Sequence, residues 1–163
     1  MFENTSAWAI WDLPDIPEYN RGAVCIMGDA AHAPSPFQGQ GAGQAIEDSL
    51  TLTDLFAHVK DVDDIPLALA AFDQVRRPRA NKNVHESRKT GQIFSLLDPE
   101  HTDVREIAEG FPGRMKWIWG RDMEEQSRDA VGVFAGLKRE REREREREKG
   151  WSWGLRVEKE WCA

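Results

Sequence analysis

Twenty-one residues, GDAAHAPSPFQGQGAGQAIED from Gly28 to Asp48, constrain this chain more than any other stretch. A short apolar run, Ala23 to Met27, leads into Gly28-Asp29. Pro34 and Pro36 follow, then glycines at 39, 41 and 43, and then a helical pattern. Five apolar residues between Gly and Pro flanks predict a buried strand. The unit therefore reads strand, stiffened loop, helix. A helix that starts near Gly41 leaves its first N–H groups unpaired and pointing back at the loop. Its dipole adds about half a positive charge there. Glycines at 39, 41 and 43 let a planar ligand approach the backbone. Such a place favours an anion, and the Asp29 carboxylate suits sugar or polyol hydroxyls. The other reading is a glycine-rich helix entry with Asp29 as a turn residue. The spacing is not the dinucleotide fingerprint G-x-G-x-x-G, because Gln44 stands where the third glycine belongs.

The rest of the chain reads mostly helical. Trp8 to Trp11 is a predicted short strand, and DLPDIPEYNRG after it a loop. Ala42, Ala45, Ile46, Ser49, Leu50, Thr53, Phe56 and Val59 recur at three and four, which predicts a helix to Val59 with one apolar-to-small stripe. Asp63 or Asp64 caps the next helix, with Pro66 in its first turn. Pro78 is expected to end or kink it. The pattern resumes to about Leu97, and Asp98-Pro99 stops it. A last helix is expected over 115–134, with Gly120 a weak point.

Charge divides the chain. The formal net charge is −7, which argues against a nucleic-acid partner. Residues 138–163 carry nine Lys/Arg and seven Asp/Glu, so the acidity belongs to residues 1–137. KREREREREREK places like charges at i,i+4 and opposite charges at i,i+3, and these offset at roughly 0.2–0.5 kcal/mol each. The tail is expected to be a solvated helix or disordered. A GA dinucleotide repeat in the gene encodes such a run, so translated repeat sequence is one source for it. Cys25 reads as a small buried hydrophobe and Cys162 lies far away, so neither a disulfide framework nor a metal site is expected. The N-terminus lacks the basic and apolar regions of a signal peptide. No apolar run approaches the ~20 residues of a membrane span. The expectation is a soluble cytoplasmic chain with no membrane partner.

GDAAHAPSPFQGQGAGQAIEDSLTLTDLF resembles the second flavin-binding motif of class A FAD-dependent aromatic hydroxylases, the salicylate hydroxylase-like group. The match lies at Gly28-Asp29-Ala30-Ala31-His32, Pro36, Gly39-Gln40-Gly41, Ala45 and Glu47-Asp48. AAFDQVRRPRANKNVHES and MKWIWGRDMEEQSRDAV are similar to the group's kinked and closing helices, so the resemblance covers about residues 7–134. It implies an α/β fold, the C-terminal fragment of a three-layer ββα FAD/NAD(P)-binding monooxygenase, mostly helical as it stands. Residues 1–137 would form a partial FAD-binding domain, with 138–163 the Arg/Glu tail. The implied cofactor site is Asp29 on the ribityl chain, the Pro36 loop beside the isoalloxazine, and the Gly39-Gln40-Gly41-Ala42-Gly43 segment. Its N–H groups at Gly41, Ala42 and Gly43 would face flavin N1 and the C2 carbonyl. The implied reaction is NAD(P)H reduction of FAD, then hydroxylation of a small phenolic substrate with O2. No catalytic residue is assigned.

The group also carries an N-terminal βαβ unit with G-x-G-x-x-G and most of a substrate-binding sheet, and these have no counterpart in the chain. The 163 residues alone are therefore expected to have negligible FAD affinity and to expose apolar helix faces. The alternative is an inactive fragment or gene-model artefact. A third reading, an interaction protein with RNA-associated partners for the tail, ranks last. His32 is expected to be structural rather than a ligand. Glu47-Asp48 point about 100° apart on a helix, so they tie down backbone instead of sharing a reacting atom. Arg76-Arg77-Pro78-Arg79 either binds an NADPH phosphate or faces solvent, and solvent is favoured. Trp117 and Trp119 serve packing or line an aromatic pocket.

Overall fold

The computed structural model describes residues 5–160, with side chains through residue 148; Cys162 lies outside them. Two strands, β1 (Asn20–Arg21) and β2 (Val24–Cys25), form a minimal antiparallel hairpin. The short α1 (Asp29–His32) follows, then a 3-10 turn at Pro36–Gln38 and α2 (Gly41–Phe56). Next come a second 3-10 turn at Val62–Asp64 and α3 (Ile65–Phe94). The last helices are α4 (Val104–Trp119) and α5 (Met123–Glu160). Helices α2, α3 and α5 pack mutually around Tyr19, Ala31, Leu55, Ala68, Ala71, Phe72, Ala80, Ala130 and Phe134. The alanines let the helix axes approach, and the larger residues fill the gaps.

Several expectations need correction. Residues 7–14 form no strand, and Trp8 and Trp11 are 86% and 82% exposed. A strand needs a neighbour along its length for its backbone groups, and among the described residues this stretch meets one at its end, where Leu13 N–H donates to Ala33 O at 2.9 Å. The run Ala23–Met27 pairs over two residues only, and Val24 faces outward, 70% exposed. Cys25 is half-buried rather than buried, and partial burial raises its thiol pKa. The stretch expected as loop already holds α1 and the 3-10 turn. Pro78 does not end α3, which continues for sixteen residues beyond it. Pro78 lies on the exposed side while Arg76 and Ala80 are buried on either side of it, so packing holds the helix across the missing hydrogen bond.

The expected helix over 115–134 is two helices divided at Gly120, whose N–H closes α4 on Lys116 O at 2.9 Å. Asp103 Oδ1 caps α4 by accepting the N–H groups of Arg105 and Glu106. Asp122 Oδ1 caps α5 through those of Glu124 and Glu125. In the second 3-10 turn Asp61 caps, through Asp63 N–H at 3.0 Å. Asp64 makes no such bond; it receives Lys138 Nζ at 2.6 Å and Arg141 Nη2 at 2.5 Å. These cations hold its carboxyl near about 2. Arg145 adds an ion pair to Asp63. At 100° per residue Lys138, Arg141 and Arg145 share one side of α5, so the repeat begins docked along that side.

The orientation of α2 matters most for the site. Its buried residues are Gln44, Asp48, Thr51 and Leu55, whereas Ile46 is 70% exposed and Leu50 and Phe56 also face outward. A face of Gln44, Asp48 and Thr51, closed by Leu55, points into the molecule, while Ile46, Leu50 and Phe56 point out. The inward face meets a charged residue of α3, which decides the orientation.

Candidate functional site

Arg76 is that residue, and it is fully buried. Its Nε donates to Asp48 Oδ1 at 2.8 Å, Nη1 to Glu47 and to Gln126 Oε1, and Nη2 to Gln44 O and Oε1. One guanidinium thus joins α2, α3 and α5. A planar fork of five donors is the group that can do this. Arg79 pairs bidentately with Glu47 at 2.7 and 2.8 Å. Of the Arg76–Arg79 cluster, then, two arginines are not solvent-facing as expected; burying α2's carboxylates requires cationic partners.

Asp48 carries the network to the loop. Its Oδ2 accepts Gly28 N–H at 2.9 Å and His32 Nε2–H at 2.6 Å. Burial pushes the Asp48 carboxyl up, but His32, Arg76 and Gly28 N–H outweigh it, and the carboxyl lies below its ordinary range. Glu47 follows the same logic, with burial opposed by Arg79 and Arg76. An ionised Asp48 only accepts, so His32 Nε2 is the donor. His32 is buried and also meets the Tyr19 ring, centroids 5.9 Å apart. Gly28 takes φ 57°, where a side chain is strained. This turn starts α1 and leaves Asp29 exposed at its first position.

The second half of the loop presents the remaining expected residues. Pro36 opens the 3-10 turn and is exposed. Gly39 ends it at φ 63°, also exposed, with its N–H on Pro36 O. Gln40 is the N-cap of α2 and makes no side-chain cap. Gly41, Ala42 and Gly43 form the first turn, and Gln44 N–H is the first donor to close on Gln40 O. A Cβ on Gly41 would lie 3.6 Å from Pro34 and 3.9 Å from Asp29 Oδ1, so the carboxylate and the helix N-terminus are neighbours. The structure brings Asp29 to Gly41 and runs Pro36 to Gly43 as one continuous edge. Asp29, Pro36, Gly39 and Ala42 are open to solvent along it; Gln40, Gly41 and Gly43 are half-buried.

Trp117 is half-buried, with Lys82 Nζ 4.6 Å and Arg79 Cζ 5.3 Å from its ring centre, so cations occupy the place expected for an aromatic pocket. Trp119 is exposed. Asp98, Glu100 and His101 bring their ligand atoms within 4.8 Å of one another, a grouping the sequence reading did not single out. Asp98 is already engaged by Glu100 N–H and His101 Nδ1 there. Among the described residues no helix is long and apolar enough to cross a membrane.

A family model described as an FAD binding domain matches residues 2–87, just over half of the chain. The chain belongs to this FAD binding domain family. Within it, the chain is 46% identical over 138 residues to 6-methylsalicylate 1-monooxygenase of Aspergillus terreus, covering 84% of the chain and 31% of that protein. It is 37% identical over 125 residues to salicylate hydroxylase of Pseudomonas putida, covering 76% and 29%. A solved salicylate hydroxylase substrate complex superposes with a TM-score of 0.72 at 38% identity, over 76% of the chain and 31% of that structure. The crystal structure of FqzB aligns with a TM-score of 0.62 at 26% identity, over 80% and 31%. The chain therefore has the fold of part of an FAD-binding monooxygenase and spans about three-tenths of the length of these relatives.

Sequence reasoning missed the supports of this site, chiefly Arg76, Ser87, Thr90 and Gly91. For Arg76 a signal existed. Gln44, Asp48 and Thr51, with Glu47 beside them, form a polar stripe at the same helical spacing as the apolar one. Such a stripe asks for a buried cation elsewhere.

Proposed function

We propose that this chain forms the ring-side wall of the flavin site in an FAD-dependent aromatic monooxygenase of the salicylate hydroxylase type. NAD(P)H is the electron donor in this reading, and O2 and a small phenolic acid are the co-substrates. The observation that carries it is the juxtaposition of Asp29 with the side-chain-uncapped N-terminus of α2. The donor set fits the cofactor: a carboxylate accepts from polyol hydroxyls, and adjacent free N–H groups face a ring edge that becomes anionic on reduction. Bound there, FAD supplies the redox chemistry with O2. The residues of this chain bind and orient. Asp29 accepts from the ribityl hydroxyls. The Gly41, Ala42 and Gly43 N–H groups, with the helix dipole behind them, stabilise negative charge at the pyrimidine edge. Pro36 and Gly39 form the wall beside the ring, and Gln40 sets the entry of α2. Residues 1–137 are the partial FAD-binding domain, and 138–163 an appended segment. A cytoplasmic location, where NAD(P)H is at hand, goes with this reading.

The test is a chimaera in which residues 7–134 replace the matching segment of the Pseudomonas putida salicylate hydroxylase. Retained yellow flavin and NAD(P)H oxidation dependent on salicylate or 6-methylsalicylate are expected. A folded but colourless chimaera overturns the proposal.

A further inference from the structure

The turn that carries Pro36 has no side-chain cap of its own. A 3-10 segment this short holds its shape poorly alone. Helix α3 supplies what it lacks. Ser87 Oγ donates to Ser35 O and accepts the Gln38 N–H at 3.3 Å, so one hydroxyl brackets both ends of the turn. One turn of helix further, Thr90 Oγ1 gives its own hydrogen to Glu86 O and accepts Gln38 Nε2 at 3.2 Å. Gly91 completes the face. A Cβ there would lie 2.3, 2.4 and 2.9 Å from three atoms of the Phe37 ring, closer than real Cβ contacts come. Positions 87, 90 and 91 share one helix face, and all three are buried. The turn is thus split by direction. Phe37 and Gln38 engage α3, while Pro36 and Gly39 face out toward the proposed flavin wall. Thr90 and Gly91 lie beyond the residues that the family model matches.

We propose that Ser87, Thr90 and Gly91 form a positioning ridge that sets how far Pro36 and Gly39 stand out toward the flavin ring, with Gly91 as its register point. The proposal rests on the reading that this loop faces FAD. A methyl group at 91 must push the Phe37 ring away by ~1 Å to restore ordinary contact. The turn has only three residues in which to absorb that shift, so Pro36 moves with it. Displacements of this size, far from any ligand contact, cost up to about a hundredfold in function.

Amide exchange at Gln38 and Gly39 in the 163-residue chain reads the turn directly, and Gly91→Ala is expected to speed it. In the chimaera described above, Gly91→Ala is expected to weaken FAD binding about tenfold and to shift the bound-flavin absorption band. Adding Phe37→Ala should recover part of that loss, because the ring is what the methyl meets. Ser87→Ala adds no bulk and serves if Gly91→Ala fails to fold; it too should speed exchange and weaken FAD binding. Unchanged exchange in the folded variants overturns the ridge. So does faster exchange with unchanged FAD affinity, or a Gly91→Ala defect that Phe37→Ala does not relieve. A parent chimaera without flavin but with a protected Gln38 amide sinks the assignment of the loop to FAD, and with it the role of the ridge toward the ring.

Discussion

Arg76 is the residue on which the candidate site depends most. Removing one partner of a buried, hydrogen-bonded charge set strands the others, at about 3–5 kcal/mol. Arg76→Met should therefore lower unfolding stability by about that amount in urea titration, and Arg76→Lys should recover little, since one ammonium cannot reach Asp48, Glu47, Gln44 and Gln126 together. Asp48 gives the matching pH dependence. Its folded carboxyl lies below the unfolded value, so its contribution is fully present above about pH 4. It is lost as pH falls through the lower folded value. Thermal unfolding followed from pH 6 to pH 3 should show the midpoint flat and then falling, and Asp48→Asn should weaken that fall. At this scale the sequence was most legible where backbone demanded a residue type. Gly28 and Gly39 hold positive φ, and a glycine beside an Asp or after a Pro-led turn announces itself. Gly91 could not be read the same way, because its requirement comes from a ring fifty-four positions earlier in the chain.

At the scale of elements, α2 and α3 were legible as helices and α2 was not legible in orientation. Periodicity reports that a helix has two unlike faces; it does not say which faces inward. The apolar stripe through Ile46 and Leu50 would point inward in an ordinary domain, but Arg76 makes the opposite face the stable one. Gly120 was readable as a weak point and proved to be the boundary between α4 and α5. The caps at Asp103 and Asp122 were present in the sequence and decide where those helices start. α5 also explains how a run without apolar residues begins as ordered helix: Asp64 gathers Lys138 and Arg141. Asp64→Asn should release this start of the repeat. Trypsin cleavage after Arg141 and Arg145 should then be faster than in the parent, while cleavage within α3 is unchanged. Because the pairs are partly exposed, raised salt should mimic the variant in the parent chain.

At the scale of the whole molecule, the chain has a small alanine-rich apolar core and, beside it, a second interior of charge and amide. Trp8, Trp11, Val24, Ile46 and Leu50 lie outside both. The sequence reading anticipated exposed apolar faces from the family resemblance, and the outward stripe of α2 gives that expectation its residues. The inside-out build of α2 has a calorimetric consequence. Unfolding releases polar groups from between α2 and α3, and hydration of polar surface lowers the heat-capacity increment that apolar surface raises. The chain should therefore unfold with a ΔCp below the usual ~12–15 cal/mol/K per residue, and scanning calorimetry at several pH values measures it. A small increment flattens the curve of stability against temperature: the fold would change little in strength between a cold and a warm cell, and would owe that evenness to one buried guanidinium.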